Sequence, residues 1–346
     1  MKMTRMRAVM ATILLLAGGL AGRSLATGRG ASLARADQPT IRVGYFPNIT
    51  HAQAVLGFGA GAFTRALAGI TVKGEVFNAG PDELNAIFAG AIDLAYIGAG
   101  PAINGYVRSN GGLQIVAGAA TGGSLLVARA GSGITSVRGL EGKRVAIPQI
   151  GNTQDILLRA LLHDAGLGAS DQGGSVRVIA VQNPDTLSLF QKSDLDAALV
   201  PEPWGSRLIA AVGASVVLDS AHIYGGATPS TVIVASASFL KAHPDLVVRF
   251  LRVHDQLTMR LSPGSRNGAV DAALNARIKA LTGKALPANV LASALARATF
   301  TTTISQNALT QFAGFSVTAG YLRKDASISG LIDSWPLEHL NDSSIK

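Results

Sequence analysis

Two stretches of the sequence, PDELNAIFAGAIDLAYI (residues 81–97) and PDTLSLFQKSDLDAALV (residues 184–200), align without a gap at an offset of 103 residues (184 minus 81). Five positions are identical: a Pro-Asp pair at the start, a leucine, an aspartate and an alanine. Pro-Asp suits a first helical turn, because proline loses no hydrogen bond there and the acid lies at the positive end of the helix. Each stretch then ends in a short apolar run. The repeat therefore predicts a helix followed by a strand, twice.

A second pair of matching stretches lies upstream at nearly the same offset: IRVGYFPNITHAQ (residues 41–53) and KRVAIPQIGNTQD (residues 143–155). Each begins with an apolar run, passes through a polar turn and enters an apparent helix. Strands that alternate with helices are typical of parallel sheets. We therefore predict an α/β fold with two similar lobes, each a mostly parallel sheet flanked by helices.

The repeats also predict where the lobes begin and end. We assign residues 37–127 and 226–346 to the first lobe and residues 128–225 to the second. Two segments are expected to cross between the lobes, near residues 125–130 and 224–230. The C-terminal part of the chain has helical periodicity, so we expect helices that pack on the first lobe.

The first 36 residues have the features of a secretory signal peptide. They contain six Lys or Arg residues and no acid, and an apolar run, AVMATILLLAGGLAG, occupies residues 8–22. A membrane-spanning helix needs roughly 20 apolar residues, so this run is too short for an anchor. Cleavage is expected after Ala26 or Ala36, and Arg23 stands where a lipoprotein signal has its cysteine. We therefore expect a periplasmic protein without a lipid anchor.

Composition excludes several classes of function. The formal charge of +9 falls to +3 without the signal segment, and no basic cluster with aromatic residues remains, so nucleic acid is not an expected partner. The chain has no cysteine, which excludes disulfides, thiolate metal sites and cysteine nucleophiles. Its six histidines lack metal-ligand spacing, and no catalytic motif is present. We therefore expect no metal, no cofactor and no enzymatic activity.

The candidate ligand site lies in the turns after the strands, because ligands of open α/β sheets bind beyond the carboxyl ends of strands. A helix start carries unpaired backbone N–H groups, so it binds an anion without lysine or arginine. At residues 151–155, Gly151 allows close approach to the backbone, while Asn152 and Thr153 add side-chain donors. Alternatively, Asn152 or Thr153 serves only as a helix cap. His51 lies in the corresponding turn of the other lobe.

Four segments together make the sequence resemble a known family: GYFPNITHAQ, AGPDELNAIFAGAIDLAYIGAGPAIN, GLEGKRVAIPQIGNTQD and PEPW. They resemble the substrate-binding proteins of ABC importers for nitrate, taurine, aliphatic sulfonates and thiamine precursors, over residues 41–218. The resemblance implies a type 2 periplasmic binding fold whose two lobes close on a small solute. It also implies delivery of that solute to a membrane permease with its ATPase, and we expect the binding protein to be a monomer.

The resemblance further implies which residues contact the ligand. They lie in the turns described above, and the candidates are His51, Gln53, Gly98, Gly100, Ser124, Gly151, Asn152, Thr153, Gln154, Glu202 and Trp204. These turns contain no Arg or Lys. An anionic ligand would therefore rely on backbone and neutral side-chain donors.

The expected ligand is a small organic anion or zwitterion, such as an aliphatic sulfonate or taurine. If Glu202 faces the cleft as a carboxylate, it favours a ligand with an amine; alternatively, the Glu-Pro-Trp turn is structural. Nitrate, bicarbonate and a thiamine-precursor pyrimidine are alternative ligands. An enzyme that forms the thiamine pyrimidine on the same fold is less favoured, because such enzymes carry a cysteine-rich motif and this chain has no cysteine. A ligand-sensing module fused to a membrane receptor is a third class.

Overall fold

The computed structural model describes residues 39–345. The predicted signal peptide and its two candidate cleavage sites lie outside these residues, so export remains a prediction.

The described residues form two β-sheets. In chain order the strands are β1 (Thr40–Tyr45), β2 (Thr71–Val76), β3 (Leu94–Ile97), β4 (Leu113–Gly122), β5 (Ser124–Ala128), β6 (Arg144–Ile147), β7 (Arg177–Ala180), β8 (Ala197–Pro201), β9 (Ser215–Leu218), β10 (Pro229–Ser236) and β11 (Ala298–Phe300). The first sheet has six strands in the order β11-β4-β10-β3-β1-β2, and the second has five in the order β7-β6-β8-β5-β9. Apart from the additional strand β11, the two sheets have equivalent strand orders, which confirms the prediction of two similar lobes.

Thirteen helices flank the sheets in the described part of the chain. They are α1 (Ala52–Gly59), α2 (Ala62–Ala66), α3 (Gly80–Phe88), α4 (Ala99–Arg108), α5 (Thr153–Asp164), α6 (Asn183–Gln191), α7 (Trp204–Val212), α8 (Ala237–Ala242), α9 (Pro244–Leu261), α10 (Gly268–Thr282), α11 (Ala288–Ala296), α12 (Gln306–Thr318) and α13 (Trp335–Glu338). We call the first sheet with α1–α4 the first lobe, and the second sheet with α5–α7 the second lobe. Between residues 39 and 345, no helix is both long and apolar enough to span a membrane.

The sequence repeat corresponds to equivalent elements of the two lobes. Its helices are α3 and α6, and its strands are β3 and β8. In the first lobe, the Asp93 carboxylate accepts from the backbone N–H (2.8 Å) and the Nε of Arg42 on β1. In the second lobe, Asp196 binds Arg144 on β6 in the same way (2.9 and 3.0 Å). The aspartate that is identical in the two stretches therefore links the end of each repeat to the adjacent strand, β1 or β6, by hydrogen bonds.

Both sheets are mixed, but four of the six strands in the first and four of the five in the second run in one direction, as the prediction of mostly parallel sheets requires. In each, three neighbouring strands are parallel: β2-β1-β3 in the first and β7-β6-β8 in the second. The next strand, β10 or β5, is antiparallel to them. Each of these strands directly follows a crossing from the other lobe, so it enters its sheet without a crossover helix and runs in the opposite direction.

The chain crosses between the sheets earlier than the sequence indicated. It leaves the first sheet at Gly122 and enters the second at Ser124, so the apolar run after Ser124 is itself a strand of the second sheet. Gly122 and Gly123 have φ angles of 70° and 71°, in the left-handed region that favours glycine. The return crossing lies between Leu218 and Pro229.

Strand periodicity divides the core into layers. On β5, Leu125 and Val127 pack in a cluster on one face of the second sheet, whereas Leu126 and Ala128 pack on the other face. The cluster on that second face also contains Ile97 of the first sheet. Helix α12 packs against both α4 and α5. The C-terminal helices therefore contact both lobes, whereas we expected them on the first lobe alone.

Candidate functional site

A cavity of about 20 Å³ lies where the two lobes meet, at the ends of β1, β3, β6 and β8. Five of the predicted site residues line it: His51, Gly98, Asn152, Thr153 and Gln154. The prediction missed Phe46, Asn48, Thr50, Gly80, Pro101, Pro201 and Ser230. Most of these residues could have been predicted from the sequence, because they lie in or beside the turns that were chosen as the candidate site.

The lobes touch each other around this cavity. The Trp204 indole Nε1 of the second lobe donates to Asn48 Oδ1 of the first at 2.8 Å. The backbone N–H of Ile49 donates to the carbonyl of Glu202 at 2.9 Å. Since Asn48 Oδ1 accepts from Trp204, the Asn48 amide nitrogen is left to donate elsewhere. The structure is therefore that of a closed cleft.

Helix α5 begins at the cavity and is capped by Asn152. The Asn152 Oδ1 atom accepts from the backbone N–H of Asp155 at 2.9 Å. The N–H groups of Thr153 and Gln154 belong to the same first turn, and between residues 39 and 345 neither has a backbone partner. Asn152 is thus the helix cap that the sequence left open, and the free N–H groups make the helix start attractive to an anion.

Thr153 is not a cap. Its side chain is 4% exposed, and its Oγ1 has no hydrogen-bond partner within the described residues. The hydroxyl lies against Gly98 at the start of α4, where an added Cβ would be only 2.0 Å from Oγ1. A buried hydroxyl without a partner costs free energy. The Thr153 hydroxyl is therefore an unpaired donor that lies between the starts of two helices, one from each lobe.

His51 presents a neutral donor. Its Nδ1 accepts from the backbone N–H of Phe46 at 3.3 Å, so the ring proton is on Nε2. Burial lowers the pKa of His51 to about 3. The imidazole is therefore uncharged at neutral pH and offers one N–H group at the cavity.

A chain of side-chain hydrogen bonds runs from Asn152 to a second small cavity. The Asn152 amide donates to Gln154 Oε1 (3.0 Å), and the Gln154 amide donates to Ser124 Oγ (3.0 Å). Ser124 and Thr153 both line this second cavity, which has a volume of about 10 Å³ and lies beside the crossing segments. Since Ser124 accepts from Gln154, its own hydroxyl proton is left to donate.

Behind the helix start, Asp155 holds the turn in place. Its carboxylate accepts from the backbone N–H of Gly151 (2.7 Å), from Arg159 Nε (2.8 Å) and from the Tyr321 hydroxyl. Burial opposes the charge of Arg159, but Asp171 and Asp155 raise its pKa above the ordinary value. Asp155 is thus paired with a cation, and among residues 39–345 no charged side chain lines the cavity itself.

Six of the predicted residues do not line this cavity, and three of them are Gln53, Gly100 and Gly151. The Gln53 amide donates to the carbonyl of Ala119 (2.7 Å) and to Thr258, inside the first lobe. Gly100 lies in the first turn of α4, where an added Cβ would meet Ile156 at 2.6 Å. Gly151 lines a groove on the outer side of the lobe contact.

The Glu-Pro-Trp turn has protein partners. Both oxygens of the buried Glu202 carboxylate accept from Ser206, one from its backbone N–H (3.0 Å) and the other from its hydroxyl (2.8 Å). Arg297 adds an ion pair at 3.3 Å. Burial raises the pKa of Glu202. This geometry favours the structural alternative for Glu202, and neither Glu202 nor Trp204 is among the residues that line the cavity.

Comparison with known proteins gives consistent matches. The model of the NMT1-like family matches residues 34–275. A Brucella abortus (strain 2308) protein assigned as a binding protein is 28% identical over 226 residues, 65% of this chain and 68% of its own. The taurine-binding periplasmic protein of Escherichia coli (strain K12) is 27% identical over 188 residues, 54% of this chain and 56% of its own.

A solved structure has the same fold. The alkanesulfonate-binding protein SsuA from Xanthomonas axonopodis pv. citri, bound to MOPS, superimposes with a TM-score of 0.71 at 20% identity, over 85% of this chain and 98% of that one. This likeness confirms the predicted periplasmic binding fold. Because the family model matches more than half of the sequence, the chain belongs to the NMT1-like family.

Proposed function

We propose that this protein is the solute-binding component of an ABC importer and that it captures a small, fully ionised organic anion such as an aliphatic sulfonate. One observation carries the proposal: the cavity between the lobes offers neutral donors and two helix starts, and none of the described residues places a charged side chain in its lining. The relatives that bind taurine and alkanesulfonates support this ligand class. Export to the periplasm, a monomeric state, delivery to a permease with its ATPase and the lack of catalysis are parts of the same proposal.

The donor-rich cavity favours a sulfonate over a phosphonate. A sulfonate carries no proton at neutral pH, whereas a phosphonate monoanion retains a P–OH donor that needs an acceptor. The lining residues include no carboxylate. An unmatched buried donor costs about 1–3 kcal/mol.

We expect methanesulfonate to bind roughly 5-fold to 150-fold more tightly than methylphosphonate. Calorimetric titration of the mature protein measures both affinities, and nitrate, bicarbonate and a thiamine-precursor pyrimidine are titrated for comparison. Taurine should bind no more tightly than ethanesulfonate, because the Glu202 carboxylate is already bound by Ser206 and Arg297. Failure of every sulfonate to bind would refute the proposed function.

Replacing Thr153 with valine tests the site itself. Valine keeps the shape and removes only the hydroxyl, so the ligand loses one hydrogen bond to a charged group. That loss typically costs about 1.5–3 kcal/mol, so we expect Kd to rise roughly tenfold to 150-fold. The free energy of unfolding without ligand should stay the same or increase, because the hydroxyl has no hydrogen-bond partner among residues 39–345.

A matched control is Thr186→Val. Thr186 is also buried in the first turns of a repeated-lobe helix, α6, and its hydroxyl donates to the carbonyl of Gln182 at 3.4 Å. Its replacement should leave ligand affinity unchanged. An unchanged Kd in Thr153→Val would remove Thr153 from the ligand site.

A further inference from the structure

A groove of about 450 Å³ lies on the outer side of the contact between the lobes. Its walls are α3, which contributes Leu84, Asn85 and Phe88, and α4, which contributes Pro101, Asn104, Gly105 and Arg108. Ile150 of the second lobe also lines the groove. Phe88 is 47% exposed and Ile150 is 44% exposed, so two large apolar side chains, one from each lobe, face solvent at this groove. Large exposed apolar surfaces often mark binding sites.

Only a thin wall separates the groove from the anion cavity. Gly80 lines the cavity and its neighbour Pro81 lines the groove, while Pro101 lines both. From the second lobe, Asn152 lines the cavity and its neighbour Gly151 lines the groove. The wall is therefore one residue thick and is built from both lobes.

The two sides of the wall belong to different lobes, and noncovalent contacts hold them together. The Asn78 amide of the first lobe donates to the backbone carbonyl of Pro148 in the second lobe at 3.3 Å. Beside this contact, the Gln149 amide of the second lobe donates to Asp82 of the first at 2.9 Å. Any movement that separates the lobes at this point joins the cavity to the groove.

The size of the cavity requires such a movement. A cavity of about 20 Å³ admits about one water molecule, whereas a sulfonate group with an organic substituent is several times larger. The second cavity on the hinge side, at about 10 Å³, offers no more room. The groove does have room. Its apolar lining residues are Pro81, Leu84, Phe88, Pro101 and Ile150, and its polar ones include Asn85, Asn104, Arg108 and Ser109.

We propose that the groove is the subsite for the ligand's organic tail: the anionic head binds at Thr153, and an apolar tail crosses the parted wall to lie against Leu84, Phe88 and Ile150. This inference rests on the proposed function and narrows the substrate class to organosulfonates with an extended apolar tail. The tail would cover the two exposed side chains and would bridge the lobes. Its contribution to affinity is separate from that of the head group.

The test is a chain-length series of alkanesulfonates, from methanesulfonate through butanesulfonate and hexanesulfonate to octanesulfonate, titrated into the mature protein. Burial of one methylene group changes an equilibrium constant by up to about fourfold, so we expect Kd to fall about twofold to fourfold for each methylene. In Phe88→Ser and Ile150→Ser the dependence on chain length should weaken, while the affinity for methanesulfonate stays the same.

Matched controls are Val76→Ser and Val216→Ser, apolar residues that are 47% and 42% exposed and do not line the groove. Both should retain the full dependence on chain length. A flat series in the unmodified protein, with methanesulfonate still bound, would overturn the groove proposal and leave the proposed function standing. A steep series that the groove substitutions do not change would also overturn it, because the tail would then lie elsewhere. If no sulfonate binds at all, it is the proposed function that fails.

Discussion

Replacement of Asp155 by alanine is expected to lower the free energy of unfolding by about 3–5 kcal/mol, because it breaks a buried ion pair and leaves the buried Arg159 guanidinium with only the exposed Asp171 as a charged partner. Asp155 is fully buried, and the side chain of its partner Arg159 is 3% exposed. The substitution also removes the acceptor for the Gly151 N–H group and for the Tyr321 hydroxyl. Urea unfolding followed by circular dichroism measures the loss.

The protein contains a matched control for this experiment. Asp171 binds the same guanidinium group at 2.9 Å, but its side chain is 60% exposed. Exposed ion pairs contribute about 0–1 kcal/mol, so Asp171→Ala should have a small effect. Equal effects of the two substitutions would show that burial of Asp155 does not determine the strength of this network.

The buried His254 is expected to make the stability of the protein strongly dependent on pH. The ring donates from Nε2 to the carbonyl of Gly118 (2.9 Å) and accepts from the Tyr96 hydroxyl at Nδ1 (3.0 Å), so the neutral form is fully satisfied. Burial lowers its pKa to about 4, although the bond to Gly118 acts in the opposite direction. The unfolded state, with a pKa near 6.5, therefore binds a proton at pH values where the folded state does not.

The sign of the effect follows from this difference. As pH falls below about 6.5, protonation stabilises the unfolded state, and the free energy of unfolding decreases by about 1.4 kcal/mol per pH unit until the folded pKa is reached. Relative to His254→Gln, the unmodified protein should lose about 3 kcal/mol between pH 6.5 and pH 4. Denaturant unfolding of both proteins across this range measures the difference.

The difference in the free energy of unfolding between the unmodified protein and His254→Gln separates the contribution of His254 from those of other buried titratable groups. His51 has the same sign, because burial lowers its pKa as well. Glu83 has the opposite sign, because burial raises its pKa and its contribution to stability increases as pH falls. His163→Gln is the control, since that side chain is 71% exposed. A constant difference between the unmodified protein and His254→Gln at all pH values would contradict the burial of an uncharged imidazole.

The sequence by itself determined the two-lobed α/β architecture. Pro-Asp starts, apolar runs and polar turns are local signals, and they recur at one offset because both lobes use the same strand-turn-helix unit. The same signals selected the turns that contain His51, Gly98 and Thr153. They could not reveal that each sheet is mixed, because the direction of β5 and β10 depends on where the chain crosses between lobes.

Only the tertiary structure decided which side chains face the cavity. Gln53 has the right position in its turn, but Ala119 and Thr258 take up its amide. The Glu202 carboxylate accepts a hydrogen bond from Arg297, which is 95 residues away in the sequence, and the Asp155 carboxylate accepts one from Tyr321, which is 166 residues away. A buried polar group must find a partner in a medium of low dielectric constant, and long-range folding determines which partner is within reach. Thr153 differs from these residues because its hydroxyl has no partner in the part of the chain that the structure describes, and this leaves the hydroxyl available to a ligand.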